Sequence, residues 1–193
     1  MKILVSACSS PGRTGRSLTR LPLNTFGIVP AVSEKVVDRA AARIVLLDPE
    51  DRILLQQIRP DEFEERTVWL TPGGGLAPRE TYRQAALREL HEEVGQAGAS
   101  LGPCIWVRKH EFAFRGATYR QRERFFIART ESTAIDSSRH DSIEAEIVLG
   151  YRWWKLDEID GAANTVFAPR LIAKFLAPLI EGRIPDRPIN VGV

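Results

Sequence analysis

The sequence predicts an α/β fold in which a mixed β-sheet is packed between helices. Two short segments rich in branched apolar residues, 41–47 and 53–58, precede a helical pattern that begins near Thr81. Two longer strand-like segments follow that helix, and a second helical pattern occupies residues 171–180. This order of strands, helix, strands and helix is typical of one sheet covered by helices. The sequence contains no internal repeat and no sign of a second domain.

Residues 1–38 are predicted to form a loosely held N-terminal extension, and residues 39–193 to form the folded domain. No acidic residue occurs before Glu34, whereas one lysine and three arginines occur before residue 21. Serine, glycine, proline and threonine are frequent between residues 9 and 19, a composition that favours a loop or arm. Such an arm is either a disordered or dimer-swapped extension, or a basic flap over a phosphate-bearing ligand.

The first part of the domain is predicted to contain two strands joined by a turn. Segment 41–47 reads as a buried strand, residues 48–51 supply the turn residues Asp, Pro, Glu and Asp, and segment 53–58 is the return strand. An acidic loop follows at 61–65. The apolar segment 68–70 then leads directly into a run of glycines.

The second part of the domain is predicted to contain a hairpin and a further strand. Segments 104–114 and 118–128 are long strands joined through Arg-Gly-Ala, which is a hairpin signal. The polar residues 130–142 are predicted to form a mobile loop. Segment 146–156 is the next strand, and a short turn or helix begins at Asp157.

The glycine run and the helix after it are the most informative part of the sequence. Residues 73–75 are three consecutive glycines, which permit unusual backbone conformations and close approach to a ligand. Thr81, with Gln84 three residues later, fits a capping box, and Gly95 is placed to end the helix in a left-handed conformation. The predicted buried face of the helix consists of Ala86, Leu87, Leu90 and Val94.

Three glutamates, Glu89, Glu92 and Glu93, lie on another face of this helix. Their spacing of i, i+3 and i+4 predicts that the carboxylates converge. At ~5 Å and an effective dielectric of ~20, each pair repels by roughly 3 kcal/mol. Arg88 can offset part of this repulsion, and a divalent cation can offset more. Because the ligands are oxygens, without cysteine or histidine, they favour Mg²⁺ or Mn²⁺ over zinc. A solvated acidic helix face is the alternative.

The segment from the glycine run to the end of the helix resembles the Nudix box, whose pattern is G-x5-E-x7-R-E-U-x-E-E-x-G-U, with U a bulky aliphatic residue. All the glycine and charged positions match in register, and only the last aliphatic position differs, because Gln96 stands there. That position is a packing position in the family, so the difference concerns local packing rather than metal binding. The matching residues are Gly74, Glu80, Arg88, Glu89, Leu90, Glu92, Glu93 and Gly95.

The resemblance covers roughly residues 39–181 and implies the Nudix α/β/α sandwich, with a mixed β-sheet between helices. It implies hydrolysis of the pyrophosphate bond of a nucleoside diphosphate linked to another group, by attack of metal-activated water on phosphorus. Glu92 and Glu93 would be the main ligands of Mg²⁺ or Mn²⁺. Glu89 would be a third ligand or a base, and the Gly74 carbonyl a further ligand.

Other catalytic roles also follow from the resemblance. Glu80 and Arg88 would pair and help to fix the orientation of Glu89. In several relatives the catalytic base lies outside the box, in a loop before a late strand. Glu144 and Glu146 occupy that neighbourhood here. Glu144 is preferred because it falls in the predicted loop, whereas Glu146 begins the predicted strand.

Substrate contacts are less clearly marked in the sequence. Arg59 and Arg122 are candidates for phosphate recognition, although each also fits the description of an exposed strand cation. Phe114, Tyr119 and Phe167 are candidates for stacking on a nucleobase, since an aromatic ring accepts any base.

Two other functions share this fold. An isopentenyl-diphosphate-type isomerase would use a cysteine as proton donor, and Cys104 is available. A non-catalytic nucleotide or ADP-ribose sensor would bind without turnover, but such proteins commonly lose acids of the box, and this chain retains them all.

Composition excludes several further classes. At 193 residues, with 44% hydrophobic and 27% charged residues, the chain can form one domain with a substantial core. The net charge of +2 does not by itself favour nucleic-acid binding. The two cysteines are predicted to be reduced thiols, and no apolar run approaches the ~20 residues of a membrane span. We therefore expect a cytoplasmic protein with a small nucleotide-type substrate, for which a homodimer is one expected state.

Overall fold

The computed structural model describes residues 35–59, 67–96, 98–114, 116–136, 138 and 146–192. The predictions for residues 1–34, for the acidic loop at 61–65 and for Glu144 fall outside the described residues. In the described part of the chain, no helix has the length and apolar character that crossing a membrane requires.

The secondary structure follows the predicted order of strands, helix, strands and helix. The strands are β1 (Val36–Leu47), β2 (Ile53–Ile58), β3 (Val68–Leu70), β4 (Ser100–Phe114), β5 (Ala117–Arg129), β6 (Val148–Trp154), β7 (Val166–Ala168) and β8 (Ile189–Asn190). The helices are α1 (Tyr82–Glu92), α2 (Leu156–Gly161) and α3 (Ile172–Ile180). β1 begins five residues before the predicted start, and β4 begins four residues before its predicted start.

Within the described residues the strands form one mixed sheet, as predicted. Its order is β7-β3-β2-β1-β5-β4-β8, with β6 paired to β2. The pairs β1/β5, β3/β7 and β4/β8 are parallel, whereas β1/β2, β2/β3, β2/β6 and β4/β5 are antiparallel. The long parallel pair β1/β5 at the centre places side chains distant in sequence next to one another.

Helices cover both faces of the sheet, which confirms the α/β/α sandwich. On one face, α1 packs against the sheet through the buried residues Ala42, Ile44, Leu46, Leu54, Ala85, Ala86, Leu90, Val94, Phe126 and Ala128. On the other face, α2 and α3 pack through a cluster that includes Val45, Leu55, Phe125, Ile159, Ile172 and Leu176.

The predicted buried face of α1 needs one correction. Leu87 is 47% exposed, whereas Ala85 is fully buried. Residues 85, 86, 89 and 90 share the side of α1 that faces the sheet. Each residue advances an α-helix by about 100°, so Leu87 lies about 100° from Ala86 and about 200° from Ala85. Leu87 therefore points away from the sheet.

The glycine run lies antiparallel along the edge of β1 from which β2 has diverged. The Ala42 N–H donates to the Gly74 carbonyl at 2.9 Å, and the Ile44 N–H donates to the Pro72 carbonyl at 2.9 Å. Gly73 has φ of +130°, and a Cβ there would lie 2.2 Å from the Ala42 carbonyl oxygen. Only glycine can therefore occupy position 73 with the loop against the strand. This contact places the loop beside α1.

Candidate active site

The helix that carries the three glutamates, α1, is fixed at both ends as the sequence predicts. The Thr81 hydroxyl accepts from the backbone N–H of Gln84 at 3.3 Å, and the Gln84 side chain accepts from the Thr81 backbone N–H at 2.9 Å. The helix ends at Glu92, with Glu93 as its C-terminal cap. Gly95 follows with φ of +70°, so both the capping box and the left-handed terminator are confirmed.

Glu89 and Glu93 are buried against the glycine run. Glu93 is 2% exposed, and its Oε2 accepts a hydrogen bond from the Gly73 N–H at 2.5 Å. Glu89 is 4% exposed, and a Cβ placed on Gly74 would lie 2.4 Å from its Oε1. Any side chain at position 74 would displace this carboxylate. Two acids and two glycines thus fit together as one unit.

Arg88 connects the remaining acids of this region. Its Nε and Nη2 donate to the two carboxylate oxygens of Glu80 at 2.9 and 3.0 Å. Its Nη1 donates to Glu89 at 2.7 Å and to Glu92 at 3.3 Å. Its Nη2 also donates to the Gly75 carbonyl at 3.0 Å. A single guanidinium therefore balances charge on three carboxylates and holds the loop.

These contacts keep the groups charged. Hydrogen bonds from Arg88 are the main reason that the pKa of Glu80 lies below its ordinary value, although burial opposes them. The Ala77 N–H adds a further hydrogen bond to Glu80 at 2.8 Å. The same pairing with Glu80 raises the pKa of Arg88. The ion pair is therefore retained throughout the neutral pH range.

Two of the three α1 glutamates converge, since Glu89 and Glu92 both accept from Arg88 Nη1, whereas Glu93 accepts from the Gly73 N–H. In the described ranges, no group of three or more His, Cys, Asp or Glu side chains is arranged to hold a metal ion. Arg88 thus occupies the space between Glu89 and Glu92 with a positive charge. The chemistry of the donors still fits a hard cation, because buried carboxylates and adjacent backbone carbonyls offer only oxygen.

A further buried carboxylate lies on the opposite face of the sheet, in a cluster centred on Glu123. The Glu123 side chain is fully buried, and it accepts from Arg43 Nε at 2.9 Å, Arg108 Nε at 2.6 Å and Gln121 Nε2 at 2.7 Å. His110 Nε2 lies 3.5 Å from Glu123 Oε2. Burial alone would raise the pKa of Glu123, but Arg43, His110 and Arg108 together hold that pKa well below its ordinary value.

Arg43 also contacts the glycine run. Its Nη1 donates to the Gly73 carbonyl at 2.7 Å and to the Thr71 carbonyl at 3.4 Å. The buried Glu123 cluster is therefore connected directly to the loop that holds Glu93. Sequence reasoning missed this contact, because it depends on the parallel pairing of β1 with β5, in which Ala41 lies opposite Glu123.

Arg39 is a further basic residue that sequence reasoning missed. It is exposed on β1, and a Cβ placed on Gly75 would lie 3.0 Å from its guanidinium nitrogens. Desolvation by surrounding protein and the charge of Arg43 lower its pKa, and the charge of Glu89 is close enough to oppose that shift. Among the described residues it makes no hydrogen bond or ion pair. The sequence feature that could have identified Arg39 is the alternation of side chains along a strand, which places residues 39, 41, 43 and 45 on one face of β1.

Aromatic side chains continue the same sheet face beyond Glu123. Phe112 and Tyr119 lie directly opposite one another in β4 and β5, with ring centroids 5.3 Å apart and planes at 14°. His110 stacks on Phe112 at 5.3 Å, and Phe114 contacts the Tyr119 ring at 6.2 Å. We call these four residues the aromatic row. Two of the predicted stacking residues, Phe114 and Tyr119, belong to it, and all four are partly exposed.

Phe167, the third predicted stacking residue, lies elsewhere. It is buried on β7 and packs edge-on against Trp154 at 5.3 Å. In the sheet, β3, β2 and β1 separate β7 from the β4/β5 hairpin that carries the aromatic row. Phe167 instead lines an open cavity of about 690 Å³ with Trp69 and Asn164.

A family model describes most of this architecture. The model of the NUDIX domain matches residues 37–175, which include the glycine run, α1 and the Glu123 cluster. The chain belongs to the Nudix hydrolase family. This confirms the resemblance that rests on the box between Gly74 and Gly95.

Similar proteins fall within the same family. An RNA pyrophosphohydrolase from Francisella tularensis subsp. tularensis is 47% identical over 57 residues, which are 30% of this chain and 34% of that protein. A prenyl-diphosphate phosphatase from Methanosarcina mazei is 30% identical over 128 residues, which are 64% of this chain and 68% of that protein. The chain thus spans about a third of the length of the first relative.

Solved structures support the fold. The MutT protein from Methanosarcina mazei Go1 superposes with a TM-score of 0.56 at 16% identity, covering 78% of this chain and 98% of that one. At this level of identity the likeness concerns the fold alone. It agrees with the Nudix sandwich described above.

The one departure from the Nudix box, Gln96, has a structural reason. The side chain is 5% exposed, so the position is buried, as expected for a packing position. Its Oε1 accepts from the Thr130 hydroxyl at 2.5 Å, and its Nε2 donates to the carbonyls of Ser132 at 3.2 Å and Ala134 at 2.5 Å. Gln96 therefore attaches the segment after β5 to the end of the Nudix helix by hydrogen bonds, where an aliphatic residue would only pack.

The remaining predicted residues are dispersed. Glu146 is exposed and precedes β6, and its backbone belongs to a helical turn rather than to the predicted strand. Arg59 is exposed, and its N–H donates to the Ile147 carbonyl at 3.0 Å. Arg122 is exposed opposite Lys109, on the face of the hairpin opposite to the aromatic row. The structure does not bring Arg122 together with Tyr119.

Proposed function

We propose that this Nudix protein hydrolyses the pyrophosphate bond of a nucleoside diphosphate linked to another group, in a reaction that depends on Mg²⁺ or Mn²⁺. The observation that carries the proposal is the unit of two buried glutamates, Glu89 and Glu93, fixed against Gly73 and Gly74. A solvated acidic helix face would not bury its carboxylates, since an isolated buried charge is costly. The burial therefore favours a reaction centre over the solvated helix face.

Glu89, Glu92 and Glu93, with the Gly74 carbonyl, would hold the cation. When bound, a divalent cation neutralises phosphate charge and lowers the pKa of a water molecule. The Gly74 carbonyl accepts one hydrogen bond, from the Ala42 N–H. A carbonyl oxygen has two lone pairs, so the second one can bind a cation. Glu92, which is about half exposed, can reorient most readily.

Arg88 and Glu80 orient the reacting region. Arg88 holds Glu89 at 2.7 Å, and the two-point contact with Glu80 fixes the plane of its guanidinium. Glu89 is thereby kept in a single orientation toward the loop. We propose that Glu144 or Glu146, if not Glu89 itself, supplies the catalytic base.

Arg39 is proposed to bind a substrate phosphate. Its guanidinium lies beside Gly75, on the sheet face that leads to the aromatic row, and it is exposed. On β5, Gln121 lies opposite Arg39 and Tyr119 lies opposite Val37. Arg39 and the Tyr119 of the aromatic row are therefore two residues apart along the same pair of strands. A nucleotide with its diphosphate near Glu89 could therefore place its base on the row, where aromatic stacking is favourable.

The contribution of Arg39 can be measured by substitution. Arg39→Ala is expected to raise KM by about 10- to 100-fold, because a charge-assisted hydrogen bond contributes about 1.5–3 kcal/mol. The effect on kcat should be smaller, since the contact exists before the reaction. Arg129→Ala is the control, because Arg129 is also an exposed β-strand arginine and pairs only with Asp51 at 3.0 Å in the described structure. Equal KM values for Arg39→Ala and the unaltered protein would exclude a phosphate contact.

A second candidate, hydrolysis of a prenyl diphosphate, is favoured by the similarity to the Methanosarcina mazei phosphatase. The isomerase alternative is less well supported. Cys104 is partly buried at the start of β4, burial raises the pKa of its thiol, and its Sγ lies 3.5 Å from the Trp106 carbonyl. It packs at the edge of the α1 core, as a small apolar residue does.

A substrate panel tests the proposed function. Nucleoside triphosphates, ADP-ribose, nucleotide sugars, dinucleoside polyphosphates and prenyl diphosphates would each be incubated with Mg²⁺, with Mn²⁺ and with a chelator, in water enriched in ¹⁸O. We expect phosphate-containing products that carry ¹⁸O with either metal, and none with the chelator. Binding without turnover would indicate a sensor. Rearrangement without phosphate release would indicate an isomerase.

A further inference from the structure

We propose that Arg43 and Glu123 form a clamp that positions Glu93 through the peptides of the glycine run. The inference rests on the proposed function, in which Glu93 is a metal ligand. Neither clamp residue belongs to the Nudix box, and both lie on the sheet face opposite to α1. They are positioning residues, because in the described contacts neither one touches the proposed metal ligands Glu89, Glu92 and Glu93.

The first element of the clamp is a fixed carboxylate. Glu123 is fully buried, and both of its oxygens accept hydrogen bonds, Oε1 from Arg43 and Gln121, and Oε2 from Arg108. A buried charge with several strong donors has one favourable orientation, because any rotation would leave donors unsatisfied. Glu123 thus provides a fixed reference point within the sheet.

The second element is the planar guanidinium of Arg43. Its Nε is held by Glu123 at 2.9 Å, and this sets the direction in which Nη1 points. Nη1 donates to the Gly73 carbonyl at 2.7 Å and reaches the Thr71 carbonyl at 3.4 Å. These carbonyls belong to the peptide groups on either side of the one between Pro72 and Gly73.

The third element is that central peptide group. Its carbonyl accepts from the Ile44 N–H at 2.9 Å, and its N–H, on Gly73, donates to Glu93 Oε2 at 2.5 Å. Gly73 has φ of +130° and no side chain, so the loop cannot maintain this orientation by its own stereochemistry. Contacts from outside the loop must hold it, and Arg43 supplies two of them.

A simple structural role for the cluster makes a different prediction. If Arg43 only balanced the charge of Glu123, then Arg108, which donates to the same carboxylate at 2.6 Å, would be equivalent to it. Among the described contacts, however, Arg108 makes no hydrogen bond to the glycine run. The two arginines therefore form a matched pair, in which only one is part of the clamp.

The test compares Arg43→Lys with Arg108→Lys in the 193-residue chain. Each lysine keeps the positive charge but loses the planar guanidinium that joins two partners. We expect Arg43→Lys to weaken Mn²⁺ binding, measured by electron paramagnetic resonance, by about 10- to 100-fold, the usual effect of losing a residue that orients a ligand. We expect Arg108→Lys to change Mn²⁺ affinity by less than about threefold.

A metal-free measurement separates the clamp from the proposed reaction. The Gly73 amide proton, hydrogen-bonded to a carboxylate, should resonate downfield in an NMR spectrum and shift on Glu93→Gln substitution. Arg43→Lys and Glu123→Gln should shift it, whereas Arg108→Lys should leave it nearly unchanged. Glu123→Gln also keeps the test decisive if Arg43→Lys does not fold.

The outcomes distinguish the two proposals. A Gly73 resonance that depends on Arg43, in a protein that binds no Mn²⁺, would support the clamp and contradict the metal-dependent function. Equal effects of Arg43→Lys and Arg108→Lys, on affinity and on the amide resonance, would overturn the clamp while leaving the proposed function intact.

Discussion

Replacement of Glu93 by glutamine is expected to lower kcat by roughly 10³-fold while preserving the fold. The glutamine side-chain oxygen can still accept the hydrogen bond that Glu93 accepts from the Gly73 N–H at 2.5 Å. The position of the glycine run should therefore persist. The negative charge is lost, however, and a hard cation binds a neutral amide oxygen much more weakly than a carboxylate. Steady-state kinetics at saturating Mg²⁺ and a Mn²⁺ titration measure the two effects.

The same substitution at an unrelated glutamate provides the control. Glu111 is exposed on β4 and pairs with Arg120 at 2.9 Å, both side chains being more than half exposed. Glu111→Gln is expected to alter kcat by less than about twofold, since surface ion pairs contribute little. If Glu93→Gln retained more than about a tenth of the original kcat, Glu93 would not belong to the reaction centre.

The local features of this protein could be predicted from sequence because each depends on residues close together in the chain. Thr81 and Gln84 form the expected capping box, and Gly95 has the expected positive φ, since the chemistry of a helix end involves three or four neighbours. The mixed sheet between helices followed from the order of the elements. The Nudix box itself is continuous in sequence.

Features that depend on tertiary register could not be predicted. Glu123 becomes a buried acid because β1 and β5 pair in parallel and bring Arg43 to it from 80 residues away. In the sequence it is one charge among several in a strand rich in arginine. Glu93 turns away from Glu89 and Glu92 for a related reason, because its hydrogen-bond partner is the Gly73 N–H in the loop. Spacing along a helix specifies which side chains are neighbours, but not the partner to which each turns.

The partners of Gln96 are a second feature that could not be predicted from sequence. The sequence identified it as a departure from the Nudix pattern, and the pattern alone assigned it to local packing. Its hydrogen bonds extend to Thr130, Ser132 and Ala134, a segment predicted to be a mobile loop. A polar residue at a buried position indicates that partners exist. It does not indicate where in the chain they are.

Replacement of Arg88 by alanine is expected to lower both activity and stability. The change removes the partner of the buried Glu89 and the two-point contact with Glu80. We expect kcat to fall by about 10- to 100-fold, as for the loss of a group that orients a metal ligand. The free energy of unfolding should fall by about 2–3 kcal/mol, less than for a fully buried pair, because Arg88 is about one-third exposed. Kinetics and denaturant unfolding measure the two quantities.

The pH dependence of this loss of stability identifies its source. The folded pKa of Glu80 lies below its value of about 4.3 in the unfolded chain, so its pairing with Arg88 stabilises the fold fully above about pH 5. That contribution disappears as the pH falls through the folded pKa. The difference in unfolding free energy between Arg88→Ala and the unaltered protein should therefore become smaller as the pH is lowered from 7 to 3.

Arg83→Ala is the matched control for that measurement. Arg83 lies on the same helix but donates to the carbonyls of Leu101 and Gly102, at 2.9 and 2.8 Å, rather than to an acid. Backbone carbonyls do not titrate, so the stability loss of Arg83→Ala should be the same at both pH values, and its kcat should not change. A pH-independent loss for Arg88→Ala would mean that Arg88 stabilises the loop through the Gly75 carbonyl alone, and that its ion pairs with Glu80, Glu89 and Glu92 contribute nothing.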